Sequence, residues 1–396
     1  MREAVIVSMV RTPVGRVGGA LSSITAADLG ALAIREAVRR AGIDPALIDD
    51  VIFGNILNND WQNIARAAAL AAGLPMEVPA IKVDRECGSG ANAVAFAAMS
   101  IQSGFYDVVV AGGVESDSTR PWIMAKPKKA FQVPCPEMFY DPPSVTDAIG
   151  ECPMVDTAQN VGEKFHMTRQ ECDGFALRSH ELADAAWNRG FYDESVMEVS
   201  VPQRKGAPIR IKRDETLRPE TTMESLGRLT PVAYRGDLVT AGNSSPLCDG
   251  AAALVLMDKA LADRLGLKPL GKITGYAVAG VHPHFMGMGP MAATPKLLKK
   301  AGKTLGILTL SRLMRLLLPR RFHAAGNWAL TWRRSTSTVG QLLWGILWAA
   351  PGRSLPSKSW MSSGTGAKKP ALSPCVSAGA RESPCWWKIA DFNLER

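Results

Sequence analysis

Long apolar runs are missing from this 396-residue chain. None reaches about 18 uninterrupted apolar residues, so no membrane-spanning helix is expected. Cys-x-x-Cys pairs are also missing, and the seven cysteines are an odd number. Both features speak against a disulfide framework or a structural zinc site. The opening, Met1-Arg2-Glu3-Ala4-Val5-Ile6-Val7, lacks a signal-peptide layout and runs straight into a strand-like segment. A cytoplasmic protein is therefore expected. Acidic residues are absent between Gly306 and Ala380. What is present is an ordinary globular composition, 46% hydrophobic and 21% charged. It excludes a disordered chain or a fibre and suits two or three domains.

The charge is unevenly placed. Residues 306–396 hold 13 Lys/Arg against 3 Asp/Glu, whereas residues 1–305 hold 33 against 34. The overall net charge of +9 therefore belongs to the tail alone. Seven of the ten tryptophans also lie beyond Leu305. A basic, aromatic tail would suit a nucleic-acid arm, and a disordered tail would be poor in Trp. Neither explains why the preceding rhythm stops in mid-pattern.

That rhythm is an alternation of strands and helices. Apolar spacing and stop residues predict strands over Glu3–Ser8, Asp50–Gly54, Ala80–Val83 and Tyr106–Ala111, the last bounded by Gly112-Gly113. Helices are predicted over Ala26–Ala41, Ile64–Ala72 and Gly88–Ser103, each followed by glycine. Such alternation predicts a mainly parallel sheet covered by helices. From about Glu115 to Leu238 the pattern loosens into a covering insertion with helices over Asp156–Phe165 and Arg169–Gly190. Regular structure is expected to resume at Asn243–Met257 and Gly271–Ala279 and to end with a helix over Thr294–Ala301.

The chemically informative segment is Val83-Asp84-Arg85-Glu86-Cys87-Gly88-Ser89-Gly90-Ala91-Asn92. A strand ends, a cysteine occupies the turn and a helix of small residues begins. The unpaired N–H groups and partial positive charge at a helix N-terminus stabilise a thiolate. Backbone N–H groups there can also hold an oxyanion. Cys87 is thus a candidate acyl-carrying nucleophile. Its position alone suits a buried structural cysteine equally well.

Four further segments accompany it in one order: Arg11-Thr12-Pro13-Val14-Gly15-Arg16, Gly112-Gly113-Val114-Glu115-Ser116, Ala241-Gly242-Asn243-Ser244-Ser245-Pro246-Leu247-Cys248-Asp249-Gly250 and Met286-Gly287-Met288-Gly289-Pro290. Together these motifs resemble the thiolase family, the acyl-CoA acetyltransferases and 3-ketoacyl-CoA thiolases, over residues 1–305. The resemblance implies an α/β protein with a duplicated α/β/α/β/α layered fold and a loop domain over the active site. It divides the chain into an N-terminal domain at 1–262, with a loop domain at about 115–240, and the start of a C-terminal domain at 263–305. It further implies coenzyme A thioesters as substrates, no bound cofactor or metal, and a homodimer or homotetramer. Cys87 matches the nucleophile, while Met154, Ala241 and Ser245 match positions near bound pantetheine. Asp84, where many members of the family have Asn, and Pro153 and Pro246 depart from the residues usual in the family, which bears on substrate choice more than on chemistry.

Three of the family's landmarks are absent from the C-terminal half: a Gly-His-Pro loop supplying the base, a Cys-x-Gly loop and an Asn-Glu-Ala-Phe segment. His166 and His180 lie on polar helices and are expected at the surface. His282 and His284 flank Pro283 without carboxylate or cysteine partners in sequence, so no metal is expected there. A shift of reading frame accounts for the absences. With synonymous codons read one nucleotide earlier, Leu342–Gly352 yields Ile-Ala-Met-Gly-His-Pro-Leu-Gly-Cys-Thr-Gly. Ser373–Lys388 yields Thr-Val-Cys-Val-Gly-Gly-Gly-Gln-Gly-Val-Ala-Met-Leu-Val-Glu, and Leu313–Leu318 yields Asn-Glu-Ala-Phe-Ala. Phe392 and Asn393 yield a stop codon. In each shifted codon two bases are fixed by a residue of this chain, so synonymous choice alone cannot place four landmarks in order. The expectation is a slip near Leu305–Gly306, which makes residues 306–396 an out-of-frame tail. Its charge then carries no implication of a nucleic-acid partner. The alternative to an active thiolase is a catalytically inert acyl-CoA-binding or pseudogene product.

Overall fold

The computed structural model describes residues 2–124, 138–139 and 148–302, together with the backbone of two strands at 371–376 and 387–394. Its centre is a sheet in which β1 (Ala4–Arg11), β5 (Val108–Ser116), β3 (Asp50–Gly54) and β4 (Ala80–Val83) run one way. Between β1 and β5 lies β10 (Cys248–Asp258), antiparallel to both. The short β2 (Gly15–Arg16) also pairs with β10, and β11 (Gly271–Lys272) closes the other edge beside β1. The sheet is therefore mixed, not mainly parallel as the alternation predicts. The reason lies in the insertion. The chain leaves the sheet at Ser116 and re-enters at Cys248, with Ser116 opposite Asp249, so exit and return share one edge and the two strands must oppose.

Every residue of β5 and β10 is buried. Their alternating side chains feed two cores. Val108, Val110, Ala253, Val255 and Met257 pack beneath α1 (Ala26–Ala41) and α2 (Ile64–Ala71). Val109, Ala111, Ala252, Leu254 and Leu256 pack beneath α3 (Ser89–Ser103). Near-continuous apolar strands are what a sheet covered on both faces requires. Each fully buried Val, Leu or Met contributes about 1.5–3 kcal/mol. Strand β5 continues through Gly112-Gly113, where the sequence pattern predicts its end. A Cβ on Gly112 would lie 2.6 Å from the Phe53 ring and against the Ala252 carbonyl, so glycine here serves close packing within the strand.

The insertion carries α4 (Met154–Lys164), α5 (Arg169–Asn188), α6 (Met223–Gly227) and two short antiparallel strand pairs, β6 (Ile123–Met124) with β7 (Met138–Phe139) and β8 (Val199–Val201) with β9 (Ile209–Ile211). It has its own small core of Ala158, Met167, Cys172, Leu238 and Val239. The capping box of Thr168 and Glu171 starts α5. Helix α7 (Lys259–Arg264) follows β10. The expected element Gly271–Ala279 divides into β11, in the first sheet, and β12 (Ala277–Ala279), in a second. There β12 pairs antiparallel with β14 (Trp387–Leu394), which pairs with β13 (Ala371–Val376). Helix α8 (Gly289–Lys300) starts five residues before the predicted Thr294, with Pro290 in its first turn, where no N–H is needed. Segments 313–318 and 342–352 lie outside the described residues, as does most of the predicted Cys-x-Gly loop.

Candidate active site

The turn from β4 into α3 carries Cys87, 1% exposed and immediately before the cap residue Gly88. Glu86 has φ +48°, a left-handed conformation uncommon for a residue with a side chain. Short hydrogen bonds hold it there. The Glu86 N–H donates to Asp84 Oδ1 at 2.9 Å. Ser89 Oγ accepts from the Arg85 N–H at 2.7 Å and donates to the Glu86 carbonyl at 2.6 Å. The Asp84 departure is thereby explained, because the acceptor role is one an Asn carbonyl fills equally. Strain of this kind typically costs about 1–3 kcal/mol and persists where surrounding contacts enforce it.

The first turn of α3 is seated directly on β3. Ser89, Gly90, Ala91 and Asn92 are all buried. A Cβ on Gly54 would lie 2.5 Å from the Ser89 carbonyl carbon and closer still to the Gly90 nitrogen. No side chain caps the helix; the Gly88 and Ser89 N–H groups instead donate to the Arg85 and Glu86 carbonyls of the turn at 3.1 and 2.9 Å.

The accompanying motifs hold this end of the sheet together. Glu115 is fully buried and accepts from the Ile56 N–H at 2.6 Å and the Leu57 N–H at 3.1 Å, fixing the loop after β3. Asp249 accepts from Ser118 Oγ at 2.5 Å, the Ser118 N–H at 2.9 Å and Ser116 Oγ at 3.1 Å. Burial pushes the Asp249 carboxyl up, against the pull of those hydrogen bonds. Arg11 is 2% exposed and forms a forked pair with Asp214 at 2.6 and 3.0 Å. Its guanidinium carbon lies 5.3 Å from the centre of the Tyr192 ring and 5.9 Å from that of Trp187. The Arg11-Thr12-Pro13 motif thus pins the insertion onto β1.

The remaining expected site residues lie on the insertion. Met154 opens α4, half-buried, and α4 packs on the turn at Pro283–Met288. Ala241 is exposed and Ser245 half-buried. They flank Asn243, which donates to Asp173 Oδ1 at 2.9 Å and accepts from the Thr240 N–H at 2.8 Å. His166 is exposed, and His180 is half-buried with Nδ1 accepting from the Arg218 N–H at 3.4 Å. His282 Nδ1 accepts from the His284 N–H at 3.2 Å, while His284 Nε2 lies 3.1 Å from the Gly150 carbonyl. Both rings thus serve the turn against the insertion. Among the described residues no group of three His, Cys, Asp or Glu is arranged to hold a metal. Nor is any helix among them long and apolar enough to cross a membrane.

Sequence reasoning misses Tyr276. Its hydroxyl donates to Asn92 Oδ1 at 2.6 Å and lies 3.3 Å from Arg85 Nη1. Burial pushes its phenol up, with the Arg85 charge pulling the other way. A lone tyrosine 184 residues from its partner gives no local signal.

A strand-to-helix turn presenting a buried cysteine at a helix N-terminus, on a two-sheet α/β frame, suits covalent acyl transfer. Comparison with known proteins gives the class. The family described as "Thiolase, N-terminal domain" matches residues 4–260. The 3-oxoadipyl-CoA/3-oxo-5,6-dehydrosuberyl-CoA thiolase of Escherichia coli is 43% identical over 312 residues, 76% of this chain and 78% of that protein. An acetyl-CoA acetyltransferase of Cupriavidus necator is 42% identical over 306 residues, 76% of this chain and 77% of its own. The Bacillus anthracis acetyl-CoA acetyltransferase crystal structure superposes with a TM-score of 0.82 at 31% identity, covering 100% of this chain and 99% of that one. Human mitochondrial 3-ketoacyl-CoA thiolase gives 0.80 at 27% identity, with 99% of each chain covered. The chain belongs to the thiolase family of acyltransferases.

Proposed function

We propose that Cys87 is the nucleophile of a thiolase reaction on coenzyme A thioesters, held close to pantetheine by Met154, Ala241 and Ser245. The observation that carries this reading is the Cys87 turn: a buried thiol, strained backbone at Glu86 and the uncapped N-terminus of α3 together. In the degradative direction the thiolate attacks the ketone carbonyl of a 3-ketoacyl-CoA. The bond between the α and β carbons breaks, its electron pair leaves with the α-carbon, and protonation of that carbon releases acetyl-CoA. The shortened acyl group remains as a thioester on Cys87. A coenzyme A thiolate then attacks that thioester, releasing acyl-CoA and restoring the cysteine. Condensation is the reverse: acetyl-CoA acylates Cys87, and the carbanion of a second acetyl-CoA attacks the acetyl group. No metal takes part. The active assembly is a cytoplasmic homodimer or homotetramer.

The same proposal includes the tail. Residues 1–262 form the N-terminal domain, 263–305 begin the second, and 306–396 are read out of frame. Support comes from the composition break at Leu305 and from curated relatives that align over about three quarters of this chain. In the restored frame, the base is the histidine whose codon straddles Gly345 and Ile346. As written, the chain lacks it, so acylation of Cys87 is slow and turnover fails.

Resequencing the gene across the codons for Pro295–Arg312 tests the frame. A missing or extra base there is the expected result. The corrected chain should then cleave acetoacetyl-CoA with coenzyme A, and Cys87→Ala should lower that rate by several orders of magnitude. A corrected chain without thiolysis, or one indifferent to Cys87→Ala, contradicts the proposal.

A further inference from the structure

Two hydrogen bonds connect the second half of the chain to the nucleophile turn. Tyr276 lies in the short connection between β11 and β12, while its partners bracket Cys87. Arg85 precedes the cysteine by two residues, and Asn92 follows it by five, inside the first turns of α3. The direction of each bond is fixed by chemistry. A guanidinium only donates, so the Tyr276 oxygen accepts from Arg85 Nη1 at 3.3 Å. The single hydroxyl proton is then left for Asn92 Oδ1 at 2.6 Å. Asn92 is 1% exposed, so its carbonyl depends on this donor.

We infer that Tyr276 is a positioning residue for Cys87, its hydroxyl tying both sides of the turn to the second half of the protein. The inference rests on the reading of Cys87 as the nucleophile. Local bonds from Asp84 and Ser89 set the shape of the turn. They do not fix where it sits relative to the second half. The Tyr276 hydroxyl does, because it belongs to a different sheet connection. One oxygen thus aligns the thiol with the half that, in the restored frame, supplies the base.

Tyr276→Phe removes only that oxygen. The test measures, in the full chain, the rate of Cys87 alkylation by iodoacetamide from pH 6 to 10, read peptide by peptide. Cys172 and Cys248 are buried and report folding, while half-buried Cys152 on the insertion reports general loosening. The expected result is a fall of about tenfold or more at Cys87, as for a reactive group displaced by on the order of 1 Å. The pH midpoint of Cys87 should also move, with Cys152 unchanged and Cys172 and Cys248 protected. Asn92→Ala removes the acceptor and raises helix propensity. It must reproduce the shift, and the double variant must add little to either single one. An unchanged Cys87 profile in Tyr276→Phe overturns the inference. Should that variant expose Cys172 or Cys248, a wild-type profile in Asn92→Ala overturns it instead. A parallel incubation with acetyl-CoA separates the two levels. No acylation of Cys87 even in the frame-corrected chain defeats the nucleophile reading, whereas equal acylation with and without Tyr276→Phe defeats only the role of Tyr276.

Discussion

Replacing Gly54 by alanine should disable Cys87 from the neighbouring strand β3. The added Cβ would sit 2.5 Å from the Ser89 carbonyl carbon and 2.8 Å from the Ser89 Cβ. Carbon atoms in ordinary contact are about 3.5–4.0 Å apart, so the first turn of α3 must retreat by on the order of 1 Å. Overpacking costs about 1–3 kcal/mol. Here the two nearest atoms, the Ser89 carbonyl carbon and the Gly90 nitrogen, are helix backbone, which places the cost at ~3 kcal/mol. Cys87 is two residues before Ser89 and moves with it. A misplacement of on the order of 1 Å can lower a reaction rate by about a hundredfold. The assay pairs urea denaturation with the rate of Cys87 acylation by acetyl-CoA under native conditions. Thr168→Ala is the control: it removes the α5 cap, costs about 1 kcal/mol and lies on the insertion. It should lower stability without slowing acylation. If Gly54→Ala is acylated as fast as wild type, β3 does not seat the Cys87 turn.

Other consequences follow from groups around the site. Asp214→Asn strands the buried Arg11 guanidinium, and removing one partner of such a pair costs about 3–5 kcal/mol. Limited proteolysis should show the insertion between Met154 and Leu238 cut before the sheet; uniform cutting throughout the chain would contradict that anchor. Hydrogen bonds from Arg39 and Arg40 hold the Glu36 carboxyl down at about 2, from an ordinary 4.5. A lowered folded value gives stability that is fully present above pH 4.5 and lost as pH falls toward 2. Partial exposure of the pair limits it to ~1 kcal/mol. Glu36→Gln should therefore be less stable than wild type at pH 6 and equal to it near pH 2 in denaturant titrations. A gap that persists at low pH would refute the ion-pair origin.

Much of this was legible in the sequence because local patterns dominate it. Helix α1 matches its predicted bounds, Ala26–Ala41, since Thr25 caps its start and Gly42 its end. Strands β3 and β4 also match theirs. Cys87 was marked by its turn and the small residues of α3. The direction of β10 was hidden because it depends on where a long insertion returns, and apolar content does not encode strand polarity. The continuation of β5 through two glycines was hidden for a similar reason: Gly112 answers to the Phe53 ring on another strand. Tyr276 and the Arg11–Asp214 pair each join residues about two hundred positions apart, a relation that no local spacing displays.

Acylation of Cys87 decides the central claim. The frame-corrected chain is incubated with acetyl-CoA, digested, and read by mass spectrometry before and after neutral hydroxylamine, which cleaves thioesters. The expected result is one acetyl group on the peptide carrying Cys87, lost with hydroxylamine and absent from Cys87→Ser. An unlabelled Cys87 peptide, or label that resides on Cys152 or on lysines and resists hydroxylamine, would contradict it.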